Sequence, residues 1–382
     1  MRKPIHTREH SFWAGSIYPP RIQELLLLLS KLISGETQKG LAALNTSTIA
    51  ALREHRLTPW LYREVAQHGC AKYCPASFLQ DLRQDYILSL EMTRIQQERI
   101  MEIIKALCRA NLEIILLKGA DLQLRLYGDP EVRPMDDLDL LLRSEDHPQA
   151  KSVLDGMGYQ LAPKYRDLAP GYWQLLGEAV HYISSQDEVL TVDLHWEIGA
   201  MLYYYRLFYA PLKRDAQLIS YNGNKVYILS SEHLLIHLCL NAYKELICTV
   251  RKVLDITLLL SRLSVDWRKV IKEAVAFGCQ RPIYLVLREV AQVAPKIVPL
   301  QVLMELAQYR PSFIEMMVLH RRLRYLTLGL PSFHRHRSFR DWAYVVRATL
   351  WPKPEYLAAA YGNTDRGAYI RHLLAKYCSN SI

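Results

Sequence analysis

Between Glu113 and Leu142 the chain reads EIILLKGADLQLRLYGDPEVRPMDDLDLLL, a short apolar strand and a Lys-Gly turn leading to two aspartates set into a second apolar run. In an extended strand alternate residues share a face, so Asp137 and Asp139 project together while Leu138 and Leu140 turn the other way into a core. Two carboxylates side by side on a buried strand repel each other and are costly to desolvate, and a cation between them relieves both effects. A lone D-x-D is commonly a turn or a cap. Here the apolar strand Ile114 to Leu117, the Lys118-Gly119 turn, a helical segment to about Tyr127 and a polar loop precede it, and that order points to a metal site.

Oxygen donors at an open site suit Mg²⁺, which keeps several waters and binds through one or two carboxylates together with substrate phosphates. A third acid belongs on a neighbouring strand, and Asp193 in the β-branched, alternating run Thr191-Val192-Asp193-Leu194-His195-Trp196-Glu197 supplies it. Alternation puts His195 and Glu197 on the face of Asp193 and Trp196 in the core. His195 is then a residue behind the metal or against the substrate, and His181 on the preceding strand either lies across from this group or, as the simpler account, is a satisfied structural histidine.

The Lys-Gly turn, Tyr127, Arg133-Pro134-Met135-Asp136-Asp137-Leu138-Asp139-Leu140-Leu141 and Val192-Asp193-Leu194-His195-Trp196 resemble the core of the uncharacterised bacterial nucleotidyltransferase family, within the DNA polymerase β-like superfamily. Leu57-Thr58-Pro59-Trp60-Leu61 upstream, and Glu232 to Leu238 and Asp255-Ile256 downstream, extend the likeness over roughly residues 40 to 265. One departure stands out. The superfamily opens its phosphate-binding turn with Gly-Gly or Gly-Ser, and this chain has Lys118-Gly119-Ala120.

The resemblance implies transfer of a nucleoside monophosphate from an NTP, with ATP the expected donor, to a hydroxyl or other nucleophile with release of pyrophosphate. Asp137 and Asp139 would bridge two Mg²⁺ ions, and Asp193 would complete one site and help activate the attacking hydroxyl. Lys118 and Gly119, at a strand end where a helix begins, would meet the β and γ phosphates, or serve only as a solvated strand end with its turn glycine. Arg133 would balance the triphosphate or Asp136. The acceptor is open between a small molecule, a peptide, a protein and tRNA. Tyr203, Tyr204 and Tyr205 border an acceptor pocket or are packing. Rival readings are a kinase moving the γ-phosphoryl from the same metals and a non-catalytic nucleic-acid-binding protein.

The whole chain fits these classes. Its 382 residues suffice for two or three domains, and a formal charge of +10 favours a polyanionic ligand such as an NTP or nucleic acid. The basic and aromatic stretch from His320 to Trp342 is a candidate nucleic-acid contact, although a solvated helix face is the simpler account. A polar N-terminus and a leucine run of only five residues argue against secretion or membrane spanning, so the cytoplasm is expected. Seven scattered cysteines fit reduced thiols, and Cys70 and Cys74 lack a second pair for zinc. His233 and His237, one helical turn apart, read as a core or rim pair, and Arg251 and Asp255 as a surface ion pair unless a nucleotide-covering helix uses them.

The expected fold is an α-rich α/β (α+β) protein, a polymerase β-like nucleotidyltransferase core of a small mixed sheet with flanking helical regions. Its expected divisions are an N-terminal helical region over 1–110, the core over 111–229 and a C-terminal helical region over 230–382.

Overall fold

The computed structural model describes residues 25–26, 28, 46–165, 178–186, 189–199, 205–244, 250–310, 338–362 and 364–371. Two short helices come first, α1 (Thr46–Glu54) and α2 (Thr58–Gln67), with Pro59 in the first turn of α2, where no helical donor is lost. Then α3 (Ala76–Arg109) runs 34 residues without glycine or proline to interrupt it. At 1.5 Å per residue this is a rod of about 50 Å.

The α/β part follows in the order β1 (Ile115–Leu116), α4 (Lys118–Leu122), β2 (Asp137–Leu141), α5 (His147–Gly156), β3 (Tyr159–Leu161), β4 (Ala179–Ser184) and β5 (Thr191–His195). After it come β6 (Glu197–Ile198), β7 (Leu207–Phe208), α6 (Tyr209–Arg214), β8 (Gln217–Tyr221) and β9 (Asn224–Ile228). Helices then return as α7 (Ser231–Lys244), α8 (Val250–Arg262), α9 (Trp267–Phe277), α10 (Gln280–Val293), α11 (Leu300–Gln308), α12 (Phe339–Leu350) and α13 (Pro354–Tyr361). Asp266 caps α9 by accepting from the Arg268 and Lys269 amides, and Gly278, in the left-handed region, stops it.

Seven strands form one mixed sheet in the order β3-β4-β5-β2-β1-β9-β8, so the fold is the mixed α/β class expected. The two strands carrying the acids, β2 and β5, lie side by side and parallel, with Asp139 opposite Asp193. Each face of the sheet has its own core. Leu138, Leu140, Val192 and Leu194 pack against Ile100, Ile103, Ile104 and Leu107 of α3. Ile115, Leu117 and Leu141 face a larger cluster that joins Leu57, Trp60 and Leu61 of the N-terminal helices to residues of α7 through α11. Alternation along β2 therefore sends its aspartates toward the α7–α8 side.

Two details differ from the sequence reading. The run through Glu197 is not one strand: β5 ends at His195, and Glu197 pairs with Phe208 in a separate two-stranded sheet, where its carboxylate takes a buried ion pair from Arg206. Strand β8, half exposed on the sheet's edge, has too little apolar alternation to stand out in the sequence. No helix among the described residues is long and apolar enough to cross a membrane, and the described cysteines are free thiols. The basic stretch from His320 to Arg337, like Tyr203 and Tyr204, lies outside the described residues; Tyr205 is fully buried.

Candidate active site

The site forms where β1 ends and β2 and β5 begin, beneath α7 and α8. Lys118 follows β1 directly and has a φ of 39°, the left-handed region that a lysine seldom enters. Its ammonium lies 2.6 Å from Asp139 Oδ1. His195 Nε2 lies 2.8 Å from the same oxygen, and His195 itself is only 3% exposed. On the next strand His181 hydrogen-bonds Asp193. The register of the sheet sets His181, Asp193 and Asp139 abreast on β4, β5 and β2, and Lys118, just past β1 at the start of α4, reaches Asp139 from the other side.

Gln96 on α3 fixes the approaches to both acid-bearing strands, donating to the carbonyls of Met135 at 2.9 Å and Val189 at 3.0 Å. Gly119 is required by its surroundings, since a Cβ there would stand 2.9 Å from Met135 Sδ and 3.4 Å from Arg133 Nη1. The segment after α4 widens into a π turn over Gln123–Tyr127, and Arg63 and Arg262 donate to the Tyr127 and Leu126 carbonyls at its end.

The two aspartates of β2 have opposite electrostatic fates. Burial opposes the charge of Asp139, but Lys118 and the His195 hydrogen bond hold its carboxyl far below the usual carboxylate range. Asp137 has no such partner, and burial followed by repulsion from Asp139 pushes it up to about 6. Burial likewise disfavours the Lys118 ammonium, yet Asp139 and then Glu178 keep it above the ordinary lysine range. Glu178 sits at about 2, its burial outweighed by Lys244 and by His195 and Lys118 beyond it.

A cleft of about 180 Å³ opens over these groups, lined by Lys118, Gly119, Asp137 and Asp139 on the sheet side and by Leu238, Asn241, Arg251 and Lys252 on the helix side. Arg133 lines it too. Its Nε and Nη2 grip Asp255 in a two-pronged pair at 2.9 and 2.8 Å, which leaves Nη1 as the edge beside Gly119. The Tyr127 hydroxyl donates to the same carboxylate at 2.6 Å.

Asp255 is thus no surface residue. It is 2% exposed, and the Arg251–Asp255 surface pair expected from the sequence is replaced by a buried Arg133–Asp255 pair across the cleft. The reason is that α8 buries the stripe Val253 to Leu259 around Asp255, and a charge within an apolar stripe was the available signal. Burial and the nearby Arg133 guanidinium lower the pKa of Arg251, whose Nη1 donates to the Pro134 carbonyl at 3.2 Å. Asp136 instead turns outward to an exposed pair with Arg56. His233 and His237 are both buried, and burial together with Lys118 and His195 pushes His237 well below the usual histidine range.

One atom of this arrangement asks for a cation. Asp139 Oδ2 is buried without a hydrogen-bond partner, and ligand atoms of Asp139, Asp193 and His195 lie within 4.8 Å of one another. The donor set fits a divalent ion.

The sequence profile of the uncharacterised nucleotidyltransferase family matches residues 45–295. The chain belongs to that family. Three solved structures of nucleotidyltransferases show a looser likeness. The solution structure of the antibiotic-resistance factor ANT(2'')-Ia is 15% identical with a TM-score of 0.35, over 52% of this chain and 98% of that one. The crystal structure of ANT(2'')-Ia in complex with adenylyl-2''-tobramycin is 16% identical with a TM-score of 0.35, over 48% and 97%. An antigenic nucleotidyltransferase-like protein from Paracoccidioides brasiliensis is 17% identical with a TM-score of 0.34, over 53% and 88%. At such scores no residue correspondence is drawn from them. Among curated proteins no relative matches this chain.

Proposed function

We propose that this nucleotidyltransferase moves a nucleoside monophosphate, AMP from ATP, to an acceptor nucleophile and releases pyrophosphate. The supporting observation is that Asp137 and Asp139 share one face of β2 and line a cleft whose far wall is cationic, with Asp193 set opposite Asp139 on the parallel neighbouring strand. Asp137, Asp139 and Asp193 would hold Mg²⁺, two ions in the full complex. The metal would supply charge neutralisation and polarisation at the α-phosphate.

The other roles belong to the chain's own residues. Arg251 and Lys252 on α8, with Lys118 and Arg133 Nη1 opposite, bind the triphosphate from both sides, and Gly119 lets its phosphates approach the backbone. In the metal-free protein His195 orients Asp139, and Lys118 offsets its charge until the nucleotide draws the ammonium to its phosphates. Asp193 takes the proton of the attacking hydroxyl, supported by His181 on its outer side. The chemistry is mostly positioning and electrostatics. The acceptor is of the small-molecule, peptide, protein or tRNA class, and the cleft's open side leaves room for it.

The test incubates purified protein with each α-³²P-labelled NTP and Mg²⁺, with and without cell lysate, alongside Asp139→Asn and Asp193→Asn. The expected result is label from ATP on a lysate species, pyrophosphate as co-product, and a loss of at least about a thousandfold in each variant. ADP as the product would replace this reading by phosphoryl transfer. Absence of any transfer, with nucleic-acid binding unchanged in the variants, would replace it by a binding protein.

A further inference from the structure

We propose that His195 is a direct metal ligand and that the centre is a mixed carboxylate–imidazole site which favours Mn²⁺ over Mg²⁺. This rests on the reading above that a divalent ion works at Asp139 and Asp193, and goes beyond it in naming a nitrogen donor and a metal class. Three observations carry it.

The first is spacing. Two neighbouring ligands of an octahedral ion, each about 2.1 Å from it, stand roughly 3 Å apart. His195 Nε2 and Asp139 Oδ1 are 2.8 Å apart. The pair is therefore spaced as one edge of a coordination octahedron before any ion arrives, and Asp193 lies within 4.8 Å to supply a further corner.

The second is the imbalance at Asp139. Its Oδ1 carries both the His195 ring and the Lys118 ammonium, while Oδ2 is buried and has no partner. A buried carboxylate oxygen left bare is costly. The ammonium at 2.6 Å stands where a cation belongs, and an ion drawn in by Asp139 and Asp193 would release it toward the cleft.

The third is choice of donor. His195 is nearly sealed from solvent at 3% exposure, and its neighbour His181 lies outside the cluster of mutually close ligand atoms. Mg²⁺ is a hard ion served by oxygen alone, whereas an imidazole nitrogen adds affinity for first-row transition ions beginning with Mn²⁺.

The experiment titrates the full chain with Mn²⁺ and with Mg²⁺, each with and without non-hydrolysable ATP, and records pulsed-EPR nitrogen modulation from bound Mn²⁺. Wild type, His195→Gln and His181→Gln are compared. The expected result is Mn²⁺ bound at least about tenfold more tightly than Mg²⁺, with ¹⁴N modulation in wild type and His181→Gln. In His195→Gln the modulation disappears and the two ions bind with similar affinity. Bound Mn²⁺ without directly coordinated ¹⁴N in wild type would overturn the proposal even if the His195 variant does not fold. So would modulation that survives in His195→Gln. Either outcome leaves the nucleotidyl-transfer reading intact. Failure of wild type to bind either ion, with nucleotide present, would sink both.

Discussion

Asp137 and Asp139 share a strand, a face and a residue type, and yet one carboxyl is held ionised and the other is pushed up to about 6. Asp137 keeps its proton longer in the folded than in the unfolded protein. Its contribution to metal-free stability is accordingly full below about pH 4 and is lost as pH rises through about 6. Asp137→Asn is expected to raise the metal-free melting temperature at pH 7.5 by a few degrees and to leave it unchanged at pH 4. With partial exposure allowed for, the gain is on the order of 1–2 kcal/mol. Thermal melts at the two pH values in chelator check it, and equal gains at both would refute the assignment. Alternation in the sequence placed both aspartates on one face. It could not separate their charges, because the difference comes from Lys118 and His195, which hydrogen-bond Asp139 and not Asp137. The partner of Asp255 was illegible for a similar reason: Arg133 is 122 residues away, and the nearer Arg251 offered a plausible local pair.

Among the elements, the junction of α8 with the loop before β2 stands out. Arg133 and Asp255 pair there almost without solvent, and Tyr127 adds its hydroxyl to the carboxylate. Removing one partner of such a pair leaves the other charge buried. Asp255→Asn is expected to destabilise the protein by about 3–5 kcal/mol, read as a shift of the urea midpoint at constant slope. It should also weaken ATP binding, since Arg133 loses the group that sets its position; a variant within about 0.5 kcal/mol of wild type would show that the pair is dispensable. The helices, β2 and the β4–β5 hairpin could be read from periodicity and caps. The end of β5 could not. Nothing in Trp196-Glu197 marks the departure of Glu197 to a second sheet, which is driven by its long-range pairing with β7 and Arg206.

Across the whole molecule, the larger apolar cluster takes residues from the N-terminal helices, from one face of the sheet and from α7 through α11. The sheet face that carries the acids is roofed by helices on both sides of it in sequence. A fragment confined to residues 111–229 would leave Ile115, Leu117, Leu141 and Leu229 uncovered. That fragment is expected to bind a hydrophobic dye and to unfold without a cooperative transition, while residues 45–310 unfold in one step seen alike by fluorescence and circular dichroism. A sharp transition in the short fragment would contradict this. The shared core was not legible in the sequence, because it depends on contacts between segments distant along the chain.

The register that sets Asp139 opposite Asp193 has a kinetic meaning as well. His195 and Asp139 are 56 residues apart, and they meet only after β4 and β5 have returned to lie beside β2. Until that long loop closes there is no centre for an ion to occupy, so a metal cannot seed the folding of this sheet. An ion that binds only the finished arrangement acts on the way out: it lengthens the lifetime of the native state and leaves the rate of reaching it unchanged.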